Sequence, residues 1–395
     1  MTQQKPSGRL LALDILRGIT IAGMIMVNNP GSWGAIYTPL GHASWNGLTP
    51  TDLVFPFFMF IMGISTFISL RKFDFQPSKS YFIKVAKRTV IIFAIGLAIA
   101  WFSKFCYGLA TALGNNEQGL SLGQMILNAA NSFETLRALG VMQRLALCYC
   151  AVSIIAVTVK HRYLLTIIAS ILVLYAIILL CGDGYAFSDN NIISRVDHFI
   201  FGANHMYADT IDGVRLKFDP EGLLSTLPSI AHVLIGFWCG EKLMSSKDNY
   251  QRITDLFITG TILTFTGFLL SYGLPINKKI WSPTFVLTTC GLAASLLGLL
   301  IWIIDIKGYK SWCKFFEAFG INPLFMYVLG GVLSILLGSI RIADGVSIKG
   351  YLYNDILVAT FGDMTFASFV YAVLFIGFNW IFGYILYKKK IYIKI

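Results

Sequence analysis

The chain has 395 residues, of which 56% are hydrophobic and only 13% charged, and its mean hydropathy is +0.69. Soluble domains carry about a quarter charged residues, so this balance excludes a two-domain soluble protein and predicts an integral membrane protein. The net charge of +11 reads as a record of membrane topology, not as a nucleic-acid surface, and no nucleic-acid partner is expected.

Residues 1–9 are short and polar, and the apolar run after them has no small-residue cleavage site, so no removable leader is expected. The hydrophobic runs predict an all-α polytopic bundle, a single transmembrane domain over residues 1–395. About ten helices fall at 11–28, 51–70, 85–104, 139–158, 163–181, 225–244, 253–273, 284–303, 319–339 and 364–386. With the N-terminus in the cytoplasm, 21 of the 31 lysines and arginines lie on the inner side, which obeys the positive-inside rule with both termini cytoplasmic. The outer side then receives the loops 29–50 and 182–224, and both are expected to contribute to a site.

The first helix opens with LDILRG, which sets Asp14 and Arg17 three apart on one face near the inner surface. Such a pair anchors the helix or faces a cavity. Residues 28–58, NNPGSWGAIYTPLGHASWNGLTPTDLVFPFF, follow as a polar loop between two apolar runs. It gathers an imidazole (His42), a carboxylate (Asp52), amides (Asn28, Asn29, Asn46) and an indole (Trp45), a set suited to proton transfer. Thr49-Pro50-Thr51-Asp52 is a helix start: Thr49 can cap, and Pro50 suits the first turn. Asp52 either completes that cap or orients His42.

Lys84, Lys87 and Arg88 flank the inner end of the third helix. Gln143 and Arg144 sit at the edge of an apolar run with no acid close by in sequence, so Arg144 calls for an anion or a distant carboxylate. The 182–224 loop carries seven acids, and its last two, Asp219 and Glu221, directly precede a helix, where carboxylates meet the positive end of the dipole. Capping explains one of them. Asn277-Lys278-Lys279-Ile280-Trp281 is an outer loop that is basic on the wrong side, and Asn322-Pro323 interrupts the ninth helix and predicts a kink. The tail YKKKIYIKI is a basic anchor. The seven cysteines lack metal-ligand spacing, and neither a metal nor a disulfide framework is expected. There is no Walker loop, GxGxxG or GxSxG.

The stretches RLLALDILRG, VNN at 27–29, HASWNGLTPTDLVFPFFMFIMGIS, GVMQRL, FDPEGLLSTLPSI, INKKIWSPTF and IDIKGYK resemble the membrane-bound heparan-alpha-glucosaminide N-acetyltransferases and their bacterial relatives. The resemblance runs from about Arg9 to the basic tail. It implies acetyl transfer from cytosolic acetyl-CoA to the amine of a glucosamine on the far side of the membrane. The family's active-site histidine falls on His42, its partner asparagine on Asn28 and its aspartate on Asp52. The lumenal N-terminal domain of the lysosomal members is absent, which implies a multi-pass protein of the bacterial inner (cytoplasmic) membrane. Asn29-Pro30-Gly31-Ser32 stands where the family has a glycine-rich turn.

The residues fit that chemistry as roles: His42 as base toward the acceptor amine, Asn28 as donor to the oxyanion, Asp52 as the group that holds the imidazole. Trp45, Asn46, Asp219 and Glu221 are expected to contact the sugar. Arg17, Lys84, Arg88, Gln143 and Arg144 are expected to serve acetyl-CoA, arginines suiting its phosphates. A transient acetyl-histidine on His42 stays open, as does a homodimer within the lipid. Two other functions fit the composition: a transporter or flippase of a sugar conjugate, and O-acetylation of a surface glycan.

Overall fold

The computed structural model describes residues 10–114, 120–342 and 345–393. The N-terminal residues 1–9, given a cytoplasmic position above, lie outside the described residues. All ten apolar segments are helical. They form α1 (Leu11–Val27), α2 (Pro50–Arg71) and α3 (Lys79–Gly114), then, after the short α4 (Leu122–Ala130), α5 (Val141–Thr158) and α6 (Leu164–Cys181). The long loop contributes α7 (Ile192–Phe201) and the strands β1 (Ala208–Ile211) and β2 (Val214–Lys217). The bundle resumes with α8 (Thr226–Ser245), α9 (Asn249–Leu270), α10 (Pro283–Ile301), α11 (Cys313–Gly320) and α12 (Pro323–Ser339). After α13 (Ile348–Gly350), a π-helical stretch (Tyr351–Val358) and α14 (Ala359–Phe361), the chain returns through α15 (Met364–Lys388).

By length and composition, seven of these helices can cross a membrane, or eight if the bent pair α11–α12 is one span. Two of the ten segments, α1 and α8, fall outside that set, and both sit in the centre of the bundle, with most of their residues buried. A helix surrounded by other helices needs no lipid-facing stripe. It can carry polar side chains such as Thr20, Ser229 and His232, all buried, as long as they find partners. Thr20 Oγ1 donates to Arg17 O at 2.7 Å, Ser229 Oγ to Ser225 O at 2.9 Å, and His232 Nε2 lies 2.8 Å from Pro56 O.

Between membrane helices, close backbone approach replaces the hydrophobic drive of water. The parallel pair α2 and α8 meets through Gly63 and Gly236: a Cβ on Gly63 would lie 2.1 Å from Val233 O, and one on Gly236 2.2 Å from Phe60 O. The antiparallel pair α9 and α10 touches the same way, with a Cβ on Gly291 falling 2.6 Å from Gly260 O.

The structure extends or sharpens three of the sequence expectations. The third helix runs far beyond 85–104 to 36 residues, about 54 Å at 1.5 Å per residue, because neither Lys79–Lys84 nor the stretch after Lys104 holds a proline. The kink at Asn322-Pro323 is a break of 85° between α11 and α12. Pro323 starts α12 and lacks the N–H that would continue the ladder. The tail does more than anchor: Asn322 Nδ2 donates to Ile391 O at 2.9 Å, and Ile393 N donates to Asn322 Oδ1 at 2.8 Å.

The 182–224 segment is a folded cap. β1 and β2 pair antiparallel through an Asp212-Gly213 turn with φ of 50° and 82°, the backbone that a two-residue hairpin requires. A small apolar core of Tyr175, Leu179, Ile193, Phe218 and Ile280, joined by Trp45, seats this cap on the bundle.

Candidate active site

His42 stands in the loop between α1 and α2, and Asp52 in the first turn of α2. The two are 2.7 Å apart, Nδ1 to Oδ1, with the His42 side chain 40% exposed and that of Asp52 1%. The carboxylate's other oxygen, Oδ2, accepts from the N–H groups of Ala43 and Thr49, both at 3.1 Å, and from Thr49 Oγ1 at 3.0 Å. Asp52 therefore does both things the sequence allowed: Oδ2 closes the capping box with Thr49, and Oδ1 orients the imidazole. A carboxylate only accepts, so Oδ1 takes its hydrogen bond from Nδ1–H, and in the neutral imidazole the lone pair then falls on Nε2.

Lys278, from the loop between α9 and α10, completes the group. Its Nζ lies 3.4 Å from Asp52 Oδ1 and 3.0 and 3.5 Å from His42 Nδ1 and Nε2. Burial pushes its ammonium toward losing the proton, against the opposing pull of Asp52 and Glu221. The turn that carries it is tightly built. Buried Asn277 accepts the Ile280 N–H on Oδ1 at 3.1 Å and donates from Nδ2 to Asn46 Oδ1 at 3.2 Å. Trp281 takes a φ of 53°, a left-handed backbone that costs of order 1–3 kcal/mol for such a residue. Its ring is held against Phe55, Phe285 and His232.

Beside this group lies an ionic cluster. Arg137, between α4 and α5, donates from Nε to Asp219 Oδ2 at 2.9 Å and from Nη2 to Asp219 Oδ1 at 2.5 Å and Glu221 Oε2 at 2.6 Å. Asp219 also accepts from the N–H of Tyr207 at 3.3 Å and of Glu221 at 3.0 Å, so its lone pairs are all engaged. Burial works to raise Glu221, but Arg137 and then Arg144 outweigh it and hold the carboxyl below its ordinary range. Buried Arg144 bonds Gly222 O at 3.2 Å and Ser225 Oγ, with its guanidinium 5.0 Å over Trp281. Asp197 of α7 accepts the Leu223 N–H on Oδ1 at 2.8 Å, while Oδ2 has no partner. Burial, with Asp219 nearby, pushes it up to about 7.

The remaining expected residues distribute as follows. Asn46 is exposed beside Asn277. Trp45 donates from Nε1 to Tyr185 O at 2.7 Å and packs on Phe187 and Phe218, each at 5.2 Å, so it fastens the cap. Asn28 closes α1 and is exposed. It borders a cavity of about 270 Å³ with Asn29, Ser103, Tyr327 and Ser334, and no hydrogen bond joins it to His42 among the described residues. Tyr327 brings that cavity within electrostatic reach of Glu221 and Arg137. Gln143 packs its amide on Gly96 of α3.

Lys84 and Arg88 lie toward the other end of α2. With Ser65, Ser69, Tyr149 and Ser153 they line a cavity of about 150 Å³. Arg17 donates to Ser65 Oγ at 2.8 Å and pairs with Asp14 at 3.0 Å. The wall takes α5 at Tyr149 and Ser153, well past Arg144, which belongs to the opposite cluster. Two central residues, Lys278 and Arg137, carried only an indirect sequence signal: basic charge on the side that the positive-inside rule leaves poor in it.

A polytopic helical membrane protein with a carboxylate-oriented histidine at one end and a basic cavity at the other is the class these features define. A family model described as a domain of unknown function (DUF5009) matches residues 9–193. The chain is 26% identical over 447 residues to heparan-alpha-glucosaminide N-acetyltransferase of Mus musculus, covering 100% of this chain and 62% of that protein. It is 27% identical over 443 residues to heparan-alpha-glucosaminide N-acetyltransferase of Homo sapiens, covering 98% and 60%. It thus spans about three fifths of the length of these curated relatives. The chain is similar to the heparan-alpha-glucosaminide N-acetyltransferases, and that similarity extends along its whole length.

Proposed function

We propose that the protein is a transmembrane N-acetyltransferase. It moves the acetyl group of cytosolic acetyl-CoA to the amine of a glucosamine-type sugar on the other side of a bacterial cytoplasmic membrane, with ten crossings and both termini inside. The observation that carries this reading is the His42–Asp52 pair, whose buried carboxylate commits Nδ1 and leaves Nε2 as a base at an exposed edge. An amine arrives mostly as ammonium, and a proton must leave before it attacks a thioester. That first proton goes to water. As the free amine nitrogen bonds the acetyl carbon it becomes positively charged and gives its second proton to His42 Nε2; the C–S bond breaks, and His42 passes this proton to the departing thiolate. Asn28 lends an amide N–H to the oxyanion from the adjoining cavity.

The basic cavity supports a donor site at the opposite end. Ser65 is thirteen residues beyond Asp52 on α2, about 20 Å along the axis at 1.5 Å per residue. Lys84 and Arg88 suit phosphates there, and the thioester arm would extend along α2 toward His42. The test is thiol release from acetyl-CoA by purified protein across a panel of amino sugars, with the product identified by mass spectrometry. Glucosamine-dependent release with an N-acetylated product is expected. Release indifferent to the amine, or a product acetylated on oxygen, would overturn the assignment.

A further inference from the structure

We propose that Lys278 is a positioning residue for His42: its ammonium, set against the imidazole and Asp52 together, bars a second proton from the ring and keeps Nε2 a base at neutral pH. This rests on the reading of His42 as a base. A buried carboxylate 2.7 Å from an imidazole on its own favours imidazolium, which is useless for accepting a proton. A cation 3.0 Å from the same nitrogen opposes it at similar range, so Asp52 orients the ring without drawing a second proton onto it. The placement is built, not incidental: the Asn277 amide ties the turn to Asn46 and Ile280, and Trp281 holds a left-handed backbone three residues after the lysine.

The other charges around the group are committed elsewhere. Lys279, on the same turn, pairs with Asp209 of β1 at 2.5 Å. Glu221 of the cap, whose charge reaches Lys278, pairs with Arg137. Arg144 of α5 bonds Gly222 and Ser225 through Nη2 alone, and Glu221 is the first acid that offsets its charge. Among the described residues, Lys278 is the cation in contact with His42.

The experiment compares wild type with Lys278→Met and Lys278→Arg in two readouts. One is the pH profile of acetyl transfer from acetyl-CoA to glucosamine. The other is the pH profile of His42 carbethoxylation by diethylpyrocarbonate, followed by peptide mass spectrometry, which needs no turnover and so decides the matter even if glucosamine is not the acceptor. In Lys278→Met the acid limb of both profiles should move up by about one pH unit, tenfold in the proton equilibrium, with the rate recovering toward wild type above it. Lys278→Arg should keep the wild-type limb, since arginine stays charged. Thermal unfolding in detergent screens for folded protein, with Lys278→Gln as the second neutral variant. A neutral variant that is folded and labels His42 with the wild-type pH profile overturns the proposal, as does a loss of rate that is the same at every pH.

Discussion

Arg137 grips Asp219 side-on, with Nε and Nη2 each bonding a different carboxylate oxygen at 2.9 and 2.5 Å. Two parallel bonds fix both distance and angle, so the arginine sets the entry of the cap into α8 as well as neutralising Asp219, whose side chain is 3% exposed. Removing one partner of such a pair strands the other charge in low dielectric, at about 3–5 kcal/mol. Arg137→Ala should therefore melt well below wild type in detergent and lose acetyl transfer as the 219–225 turn shifts. A variant with an unchanged melting temperature would show that the grip contributes nothing.

His42→Ala should lower acetyl transfer by about 100- to 10,000-fold, the usual worth of a general base, while acetyl-CoA binding by calorimetry stays largely intact. A deeper loss would favour a covalent acetyl-histidine. Turnover within a few-fold of wild type would remove His42 from the chemistry.

The paired substitution Lys84→Ala and Arg88→Ala should act oppositely, raising KM for acetyl-CoA and the Kd of CoA with kcat nearly preserved, because the cavity they line lies about 20 Å from the reacting end. Saturation binding of CoA to the double variant checks this. Unchanged affinity would place the donor phosphates elsewhere.

Asp197 gives a pH signature. An aspartate in an unfolded chain titrates near about 4, whereas here burial pushes it up to about 7. Between those values the folded protein holds a proton that the unfolded chain has lost, so stability falls as pH rises through that window and levels off above it. Thermal unfolding of wild type and Asp197→Asn from pH 5 to pH 8 isolates the effect. Wild type should lose stability relative to the variant as pH rises, and parallel curves would mean that the carboxyl is ionised throughout.

What the sequence disclosed follows from how local each signal is. His42 with Asp52 was legible because a helix-start signature four residues long places the carboxylate, and Oδ2 and Oδ1 divide the two roles between them. The break at Asn322-Pro323 was legible because proline removes a donor wherever it falls. The β1–β2 hairpin had its own signal in Asp212-Gly213, overlooked beneath the loop's acidity. Arg137 and Lys278 were hidden for another reason: their partners lie 82 and 236 residues away in sequence, in Asp219 and His42, and no periodicity encodes a contact of that range. Trp45 was legible as important but not in kind, since stacking on Phe187 and Phe218 and stacking on a sugar call for the same ring.

Asn322 spends both ends of its amide on the main chain of the tail, at Ile391 and Ile393. Residues 391–393 thus act as a splint across the 85° bend, and whatever is joined behind them inherits that load. A purification tag or fluorescent fusion attached directly after Ile395 would pull on the bend, whereas one placed behind a long flexible spacer would leave the splint seated.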